Sequence, residues 1–379
     1  MWYNGVMRTG VATIPLDYGR CPPWLFERMT KLGRGITLAI IEEFGPEEFL
    51  RRMSDPVWFQ SFGCVLGFDW NSSGLATTTM GALKEGIKGI ESRIGLFICG
   101  GKGKTSKRTP AQIQEWGEFL GFSIDKIDEL VYTSKAAAKV DSAALQDGFQ
   151  IYHHNLIFTK SGKWNVLQQG MNIDLQKARR YHWLSENVKD FVEEPHTGII
   201  SDIRVKPLNL TAKESRSNKK VSTELAVEEP ETVIKDLELL QTKRTKNLTV
   251  MELYDKEFHW HPVINEKFDM KRFKKIIQKV HSIKPKNFEQ LLMTEGVGPR
   301  TIRALSLVSE IIYGAKPSYE DPARYTFAHG GKDGTPYPVD REGYDKTLEI
   351  MEKGILKSQI SLKEKTEAQG RLNQYQSTK

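Results

Sequence analysis

The sequence predicts an α+β protein, with a mixed N-terminal domain that contains a β-hairpin and an all-helical C-terminal domain. Apolar residues recur at helical spacing from Trp24 to Phe44. Short apolar runs at Ile151–Thr159 and Trp164–Gln169 flank a Ser161-Gly162 turn, which is the pattern of a β-hairpin. From Thr232 to Gly354 the patterns are helical. The two halves therefore differ in class.

Shifts in composition divide the chain into four segments. Residues 1–206 form the mixed domain, and residues 232–355 form the helical domain. Residues 207–231 between them are polar, carry both charge signs and offer little apolar surface, so they are predicted to be a linker. Residues 356–379 are also polar and are predicted to be a flexible tail.

Charge and cysteine usage limit the classes of protein to which the chain can belong. Its 379 residues include 55 Lys and Arg against 48 Asp and Glu, a net charge of +7, which favours a polyanionic partner. Apolar runs of the length that a membrane span needs are missing, so no membrane partner is expected. Cys21, Cys64 and Cys99 are widely spaced and form no CxxC pair, which indicates reduced thiols and a cytoplasmic location.

The most specific motif is Gly296-Val297-Gly298, which lies between an apolar helix and a second helix that starts at Pro299. It resembles the helix-hairpin-helix, a DNA-binding motif of repair proteins. Glycines allow a sharp turn with exposed N–H groups, and the following helix start favours an anion. Gly296, Gly298, Arg300 and Thr301 are therefore predicted to contact a DNA phosphate. The alternative is a helical hairpin that only packs.

A basic amphipathic helix precedes this motif. Lys271, Lys274 and Lys275 fall on one face of MKRFKKIIQKVH, and Phe273 and Ile277 fall on the other. Alone, such a charged face is usually solvated surface. Beside the hairpin it supports contact with the DNA phosphate backbone.

Pro338-Val339-Asp340-Arg341 is similar to the Pro-Val-Asp segment of helix-hairpin-helix base-excision glycosylases. The resemblance implies that Asp340 is the catalytic carboxylate. Arg300 stands where bifunctional members carry a nucleophilic lysine, so a monofunctional enzyme is expected. The stretch from Arg300 to Asp340 is longer than in those enzymes, and Asp340 could instead cap the following helix.

The N-terminal domain suggests a different chemistry, that of a metal-dependent nuclease. Candidate groups for it are Asp141, Asp147, His153 and His154, near the open end of the predicted hairpin. In the predicted register Asn155 lies opposite Gln168, and His154 opposite Gln169. A nuclease of this kind would need a divalent metal, which neutralises phosphate charge and generates hydroxide; otherwise the cofactor is unknown. The alternative is a set of hydrogen-bonding residues at strand ends.

The glycine- and lysine-rich segment GGKGKTSKR follows a predicted strand. It fails as a nucleotide-binding P-loop, because the first glycine that the motif requires falls on Ile98. We therefore expect no ATPase. Lys102 and Lys104 could still hold a DNA phosphate, and the alternative is a mobile basic loop.

The order of several unusual segments resembles one archaeal and bacterial family, domain of unknown function 763. The segments that show this resemblance include WLFERM, VLGFDWNSSGL, KVDSAALQDGFQIYHH, KWNVLQQGMN and FAHGGKDGTPYPVD. The resemblance implies a prokaryotic cytoplasmic protein with a helix-hairpin-helix region, and implies no activity. The leading expectation is a DNA-repair protein that excises bases. The alternatives are a nuclease and a non-catalytic DNA-binding or scaffold protein.

Overall fold

An antiparallel sheet of five strands lies between two layers of helices in the computed structural model. The structure describes residues 14–16, 19–69, 71–245, 268–323, 341–358 and 360–376. The strand order is β1-β3-β4-β5-β6, and β2 pairs with β7 in a separate two-stranded ribbon. This mixture of helix and sheet confirms the α+β class.

The strands are β1 (Leu96–Lys102), β2 (Leu145–Gln146), β3 (Gln150–Thr159), β4 (Trp164–Asn172), β5 (Lys177–Leu184), β6 (His196–Ile200) and β7 (Leu208–Asn209). The first helices are α1 (Pro23–Phe44), α2 (Pro46–Ser54), α3 (Pro56–Val65), α4 (Gly74–Gly86), α5 (Glu91–Ile94), α6 (Thr109–Phe119) and α7 (Ile124–Lys139). The later ones are α8 (Arg216–Val227), α9 (Pro230–Thr245), α10 (Met270–Ile283), α11 (Phe288–Met293), α12 (Pro299–Ile311), α13 (Arg341–Lys357) and α14 (Leu362–Gln376).

The two faces of the sheet bury alternate residues of each strand. In β1, Phe97 and Cys99 join a core with α6, α7 and the helices from α8 to α12. Leu96 and Ile98 point the other way, into a second core with α1–α4, α13 and α14. This follows from the two-residue period of a strand. Both faces are covered, which explains why the strands are almost continuously buried.

Packing is continuous across the predicted domain boundary at residue 206. Phe97 and Val140 share one buried cluster with Leu291 and Val308 of the C-terminal half. The segment predicted to be a linker contains a helix, because residues 216–227 form α8, which buries Leu225 and other side chains. The helix α8 also buries polar side chains, and these can leave water because each has hydrogen-bond partners.

Two such residues show how α8 is held. The amide of Asn218 donates to the carbonyls of Ser306 and Ala315 at 3.1 and 2.6 Å. The ammonium group of Lys219 donates to the carbonyl of Val192 at 2.7 Å. Satisfied hydrogen bonds offset the cost of removing polar groups from water.

The segment predicted to be a flexible tail also contains a helix. Residues 362–376 form α14, which buries Ala368 and Leu372 against the helices of the second core. Two apolar residues one helical turn apart are enough for this contact. Arg371 also donates to the carbonyl of Val65 at 3.2 Å.

Strands β3 and β4 pair in a register that differs from the predicted one by one residue. His154 lies opposite Gln168, Asn155 opposite Leu167 and His153 opposite Gln169. A one-residue change of register alters which residues face each other across the pair. The observed register pairs His154 with Gln168, and both face α7.

Candidate functional site

The end of α7 widens into a π-helix, Val140–Ala144, that carries a buried carboxylate. Such insertions are frequent at functional sites. Asp141 is fully buried and accepts three hydrogen bonds, from Nε2 of His196 at 2.5 Å, Nε2 of Gln168 at 2.5 Å and Nε1 of Trp183 at 3.0 Å. Three donors satisfy the hydrogen-bonding capacity of a carboxylate that is removed from water.

The orientation of the Gln168 amide follows from its neighbours. Its nitrogen faces the Asp141 carboxylate and, at 3.2 Å, the carbonyl of Ala137, both of which can only accept. Its oxygen therefore faces Nδ1 of His154, 2.9 Å away. Since that oxygen can only accept, Nδ1 of His154 carries the proton.

This tautomer leaves Nε2 of His154 as an acceptor, and the hydroxyl of Ser134 on α7 lies 2.8 Å from it. The Ser134 hydroxyl therefore donates to the ring. Burial lowers the pKa of His154, while the Gln168 hydrogen bond and the Asp141 charge act in the opposite direction. The ring is consequently neutral near pH 7 and can accept a proton at Nε2.

Asp147 belongs to a second buried group. Its carboxylate accepts from Arg179 at 3.0 Å, from the Tyr181 hydroxyl at 2.7 Å and from the backbone N–H of Phe149 at 3.0 Å. Arg179 also pairs with Asp321 at 2.9 Å. Burial raises the pKa of Asp147, and the Arg179 charge and the Tyr181 hydrogen bond oppose that effect. The group anchors the loop that enters β3.

A cleft of about 840 Å³ opens beside these residues. Its walls come from the 3₁₀ helix Gly103–Arg108, from α7, from the β2–β3 loop and from the start of α12. Side chains on these walls include Lys107, Ser134, Lys135, Asp147, His154 and Arg303. This volume falls within the range of small-molecule sites in proteins.

Gln146 joins the start of α12 to the rest of this cleft. Its amide nitrogen donates to the carbonyl of Pro299 at 2.9 Å, and its oxygen accepts from Nε of Arg303 at 2.5 Å. Nearby, the ammonium group of Lys139 donates to the carbonyl of Val297. The turn between α11 and α12 is thus attached to the end of α7.

The turn itself is compact. Gly296 has φ of +91°, which L-residues with side chains rarely adopt, whereas Gly298 is extended and precedes α12, with Pro299 at its first position. The turn, the first residues of α12 and the start of α10 enclose a depression of about 200 Å³. The residues that border it include Arg272, Arg300 and Thr301.

A comparison with protein families matches residues 10–339 to the family described as "Protein of unknown function (DUF763)". The chain belongs to this family. No curated protein and no solved structure matches it significantly. The DUF763 membership confirms the family resemblance seen in the sequence and assigns no activity.

The predicted catalytic residues of this DUF763 protein lie in different places. Asp141 and His154 belong to one network, and Asp147 belongs to another. His153 lies on the opposite face of β3, where burial, His154 and Lys102 lower its pKa to about 3. Asp340 lies outside the described residues. In the described part of the chain, no group of three His, Cys, Asp or Glu side chains is placed to hold a metal ion.

Some of the residues predicted to contact DNA lie close together: Gly296, Gly298, Arg300 and Thr301 line one depression with the start of α10. Lys271, Lys274 and Lys275 are exposed on α10, while Phe273 and Ile277 are buried, as the sequence predicts. Lys102 and Lys104 are exposed around the 3₁₀ helix, on the other side of the cleft. Across the described ranges, no helix is long and apolar enough to cross a membrane.

Ser134, Gln168 and Gln146 were missed by reasoning from the sequence. Ser134 and Asp141 are seven residues apart, about two helical turns, so one face of the predicted helix could have linked them. Nothing in the sequence indicates the role of Gln168, because its partner depends on the strand register.

Proposed function

We propose that this protein binds the phosphate backbone of DNA at the turn between α11 and α12. The observation that carries the proposal is the depression of about 200 Å³ between this turn and α10. Two guanidinium groups, those of Arg272 and Arg300, border it. Asp269 also lines it, but its carboxylate caps α10 by accepting from the backbone N–H of Arg272 at 3.0 Å, so the two guanidinium groups leave a net positive charge that favours a phosphate.

The start of α12 supports an anion in the same place. The first N–H groups of a helix have no partner within the helix, and the helix dipole adds positive potential. Pro299 has no N–H to lose at the first position. A Cβ added at Gly298 would meet no atom within 4 Å, so a ligand can approach this part of the backbone closely.

The exposed lysines of α10 would extend the contact along a polyanion. Lys271, Lys274 and Lys275 lie on the solvent face of the helix that borders the depression. Contacts of this kind hold the phosphate backbone and carry no sequence information. The function is therefore binding of DNA without tight sequence preference.

A salt-dependent binding titration on duplex and single-stranded DNA tests this proposal. Lys271, Lys274 and Lys275 are changed together to Glu. A control protein carries the same change at three exposed lysines on or next to the helices of the second core, Lys31, Lys88 and Lys357. If the α10 lysines contact phosphates, the slope of log affinity against log salt falls by about three only in the first protein. Equal losses in both proteins would contradict the proposed location.

Gly298→Val provides a second test. The backbone there is extended and the added side chain points into open space, so the protein is expected to fold, with only the small loss of stability that a less favourable N-cap residue causes. The valine side chain would obstruct a phosphate, and DNA affinity should fall at least tenfold, which is about 1.4 kcal/mol. Unchanged affinity would exclude this turn as the contact, and absence of DNA binding by the wild type would refute the proposal as a whole.

A further inference from the structure

We propose that Ser134 is a nucleophile in the cleft of about 840 Å³, with His154 as its general base, and that the substrate is a phosphodiester. The choice of a phosphodiester rests on the proposed DNA binding, whereas the reactivity of Ser134 does not. Serine activated by histidine is a recurring arrangement for nucleophilic catalysis.

The direction of the Ser134 hydroxyl is the first argument. Serines inside helices commonly donate to the carbonyl four residues before them. Ser142, Ser282 and Ser309 do so, at 2.7, 3.0 and 2.8 Å. Ser134 instead donates across the layer to Nε2 of His154 at 2.8 Å. The bond is thus directed at the one ring nitrogen that can accept a proton.

The support of His154 is the second argument. The Gln168 amide holds Nδ1 of the ring, and Gln168 is held in turn by the buried Asp141 carboxylate. His196 and Trp183 donate to the same carboxylate. This succession of hydrogen bonds selects the tautomer that a general base requires and orients the ring toward Ser134.

Access and charge form the third argument. Ser134 and His154 are both buried, yet both line the wall of the cleft. Lys107 and Lys135, which also line it, are exposed. Two cations at the rim favour an anionic substrate, and the start of α12 places the proposed DNA contact at the same cleft.

The reaction balances without an oxidant or reductant. Nε2 of His154 takes the Ser134 proton while Oγ forms a bond to phosphorus, and the bond from phosphorus to the leaving oxygen breaks as that oxygen takes the proton. Water then attacks the phosphorus of the phosphodiester that Ser134 has formed, giving a proton to Nε2. The bond between Oγ and phosphorus breaks, and Oγ regains the proton. One water is consumed, and a phosphomonoester and an alcohol are released.

A fluorophosphonate probe tests the nucleophile separately from DNA binding. The probe phosphonylates activated serines with loss of fluoride, and mass spectrometry of the full-length protein locates the adduct. We expect one adduct at Ser134, none in Ser134→Ala, and labelling about 10²–10⁴-fold slower in His154→Gln. Ser142→Ala is the control, because Ser142 lines the same cleft but donates to the carbonyl of Ala138.

Labelling that is absent at Ser134, or that His154→Gln leaves unchanged, would overturn the nucleophile. Thermal unfolding of each variant shows whether lost labelling reflects lost folding, and Gln168→Leu gives a further readout. It should slow labelling and shift its pH profile while Ser134 remains present. Hydrolysis of bis(p-nitrophenyl) phosphate tests the substrate class. Labelling at Ser134 without this hydrolysis would overturn the phosphodiester assignment alone, and loss of DNA binding would leave the probe result unaffected.

Discussion

The side-chain amide of Gln168 lies between the Asp141 carboxylate and the His154 ring, donating to the first at 2.5 Å and accepting from the second at 2.9 Å. A carboxylate in direct contact would stabilise a charged imidazolium strongly. An amide orients the ring and transmits only part of that effect. The arrangement favours a neutral, oriented imidazole whose position depends on a carboxylate that it does not touch.

Asp141→Asn should destabilise the protein by about 3 kcal/mol, because it removes the charge that three buried donors face and turns an amide nitrogen toward one of them. Urea unfolding at pH 7 measures the change. Asp128→Asn is the control on the exposed face of the same helix, with an expected change within 0.5 kcal/mol. If Asp141→Asn lowers the free energy of unfolding no more than Asp128→Asn does, the buried network contributes little to stability.

Acid should destabilise the protein through His153. Its folded-state pKa of about 3 lies below the ordinary value of 6.5, so below pH 6.5 the unfolded chain binds a proton that the folded chain does not. The contribution is complete above pH 6.5 and falls by about 1.4 kcal/mol for each pH unit below it. His154, whose pKa is also lowered, acts in the same direction.

Urea unfolding at pH 4, 5, 6 and 7 measures this slope, and His153→Phe isolates the contribution of one ring. The variant should lose stability between pH 6 and 4 by about 1.4 kcal/mol less per unit than the wild type. Parallel pH profiles for the two proteins would show that His153 is protonated equally in both states.

Gly35→Ala should destabilise the protein, because α1 and α13 cross in close contact at this position. A Cβ at Gly35 would overlap Ser358, and one at Gly354 would lie 2.7 Å from Cα of Ile36. Overpacking of this kind costs about 1–3 kcal/mol. Gly370→Ala is the control at an exposed position of α14, where no atom lies within 4 Å of the added Cβ and a gain of up to about 1 kcal/mol is expected. Thermal unfolding distinguishes the two outcomes.

The hypothesis of base excision is tested by a substitution at Asp340. If Asp340 is the catalytic carboxylate, Asp340→Asn abolishes release of damaged bases from duplex DNA and leaves DNA affinity unchanged. That activity should persist in EDTA, unlike the activity of a metal-dependent nuclease. Release of bases by Asp340→Asn at the wild-type rate would exclude this role, and Asp340 would then be better explained as a helix cap.

The parts of the fold that could be predicted from sequence are those with strong periodicity. The apolar faces of α1 and α10 are visible in the sequence because each helix buries one side only. The α8 helix and the α14 helix could not be predicted, since they depend on hydrogen bonds such as those of Asn218 and on partners far away in the chain. Composition alone therefore suggested a linker and a tail.

The candidate site shows the same limit. Asp141 and His154 were recognised as chemically competent residues, but the connection between them depends on Gln168. The position of Gln168 opposite His154 follows from the register of β3 and β4, and the register predicted from the turn sequence differs from the observed one by one residue. The side chain opposite a residue in a sheet is a tertiary property, and Ser134 becomes significant only when α7 is placed over that strand.

The glycine contact between α1 and α13 also governs when the second core can form during synthesis. Ile36 and Ile40 leave the ribosome early, whereas Ile350 and Met351, which share their buried cluster, are made about 300 residues later. At bacterial rates of translation the delay is on the order of tens of seconds. During that time the apolar face of α1 lacks its contact with α13, so apolar surface stays exposed on the nascent chain, which is the condition under which partly folded chains aggregate.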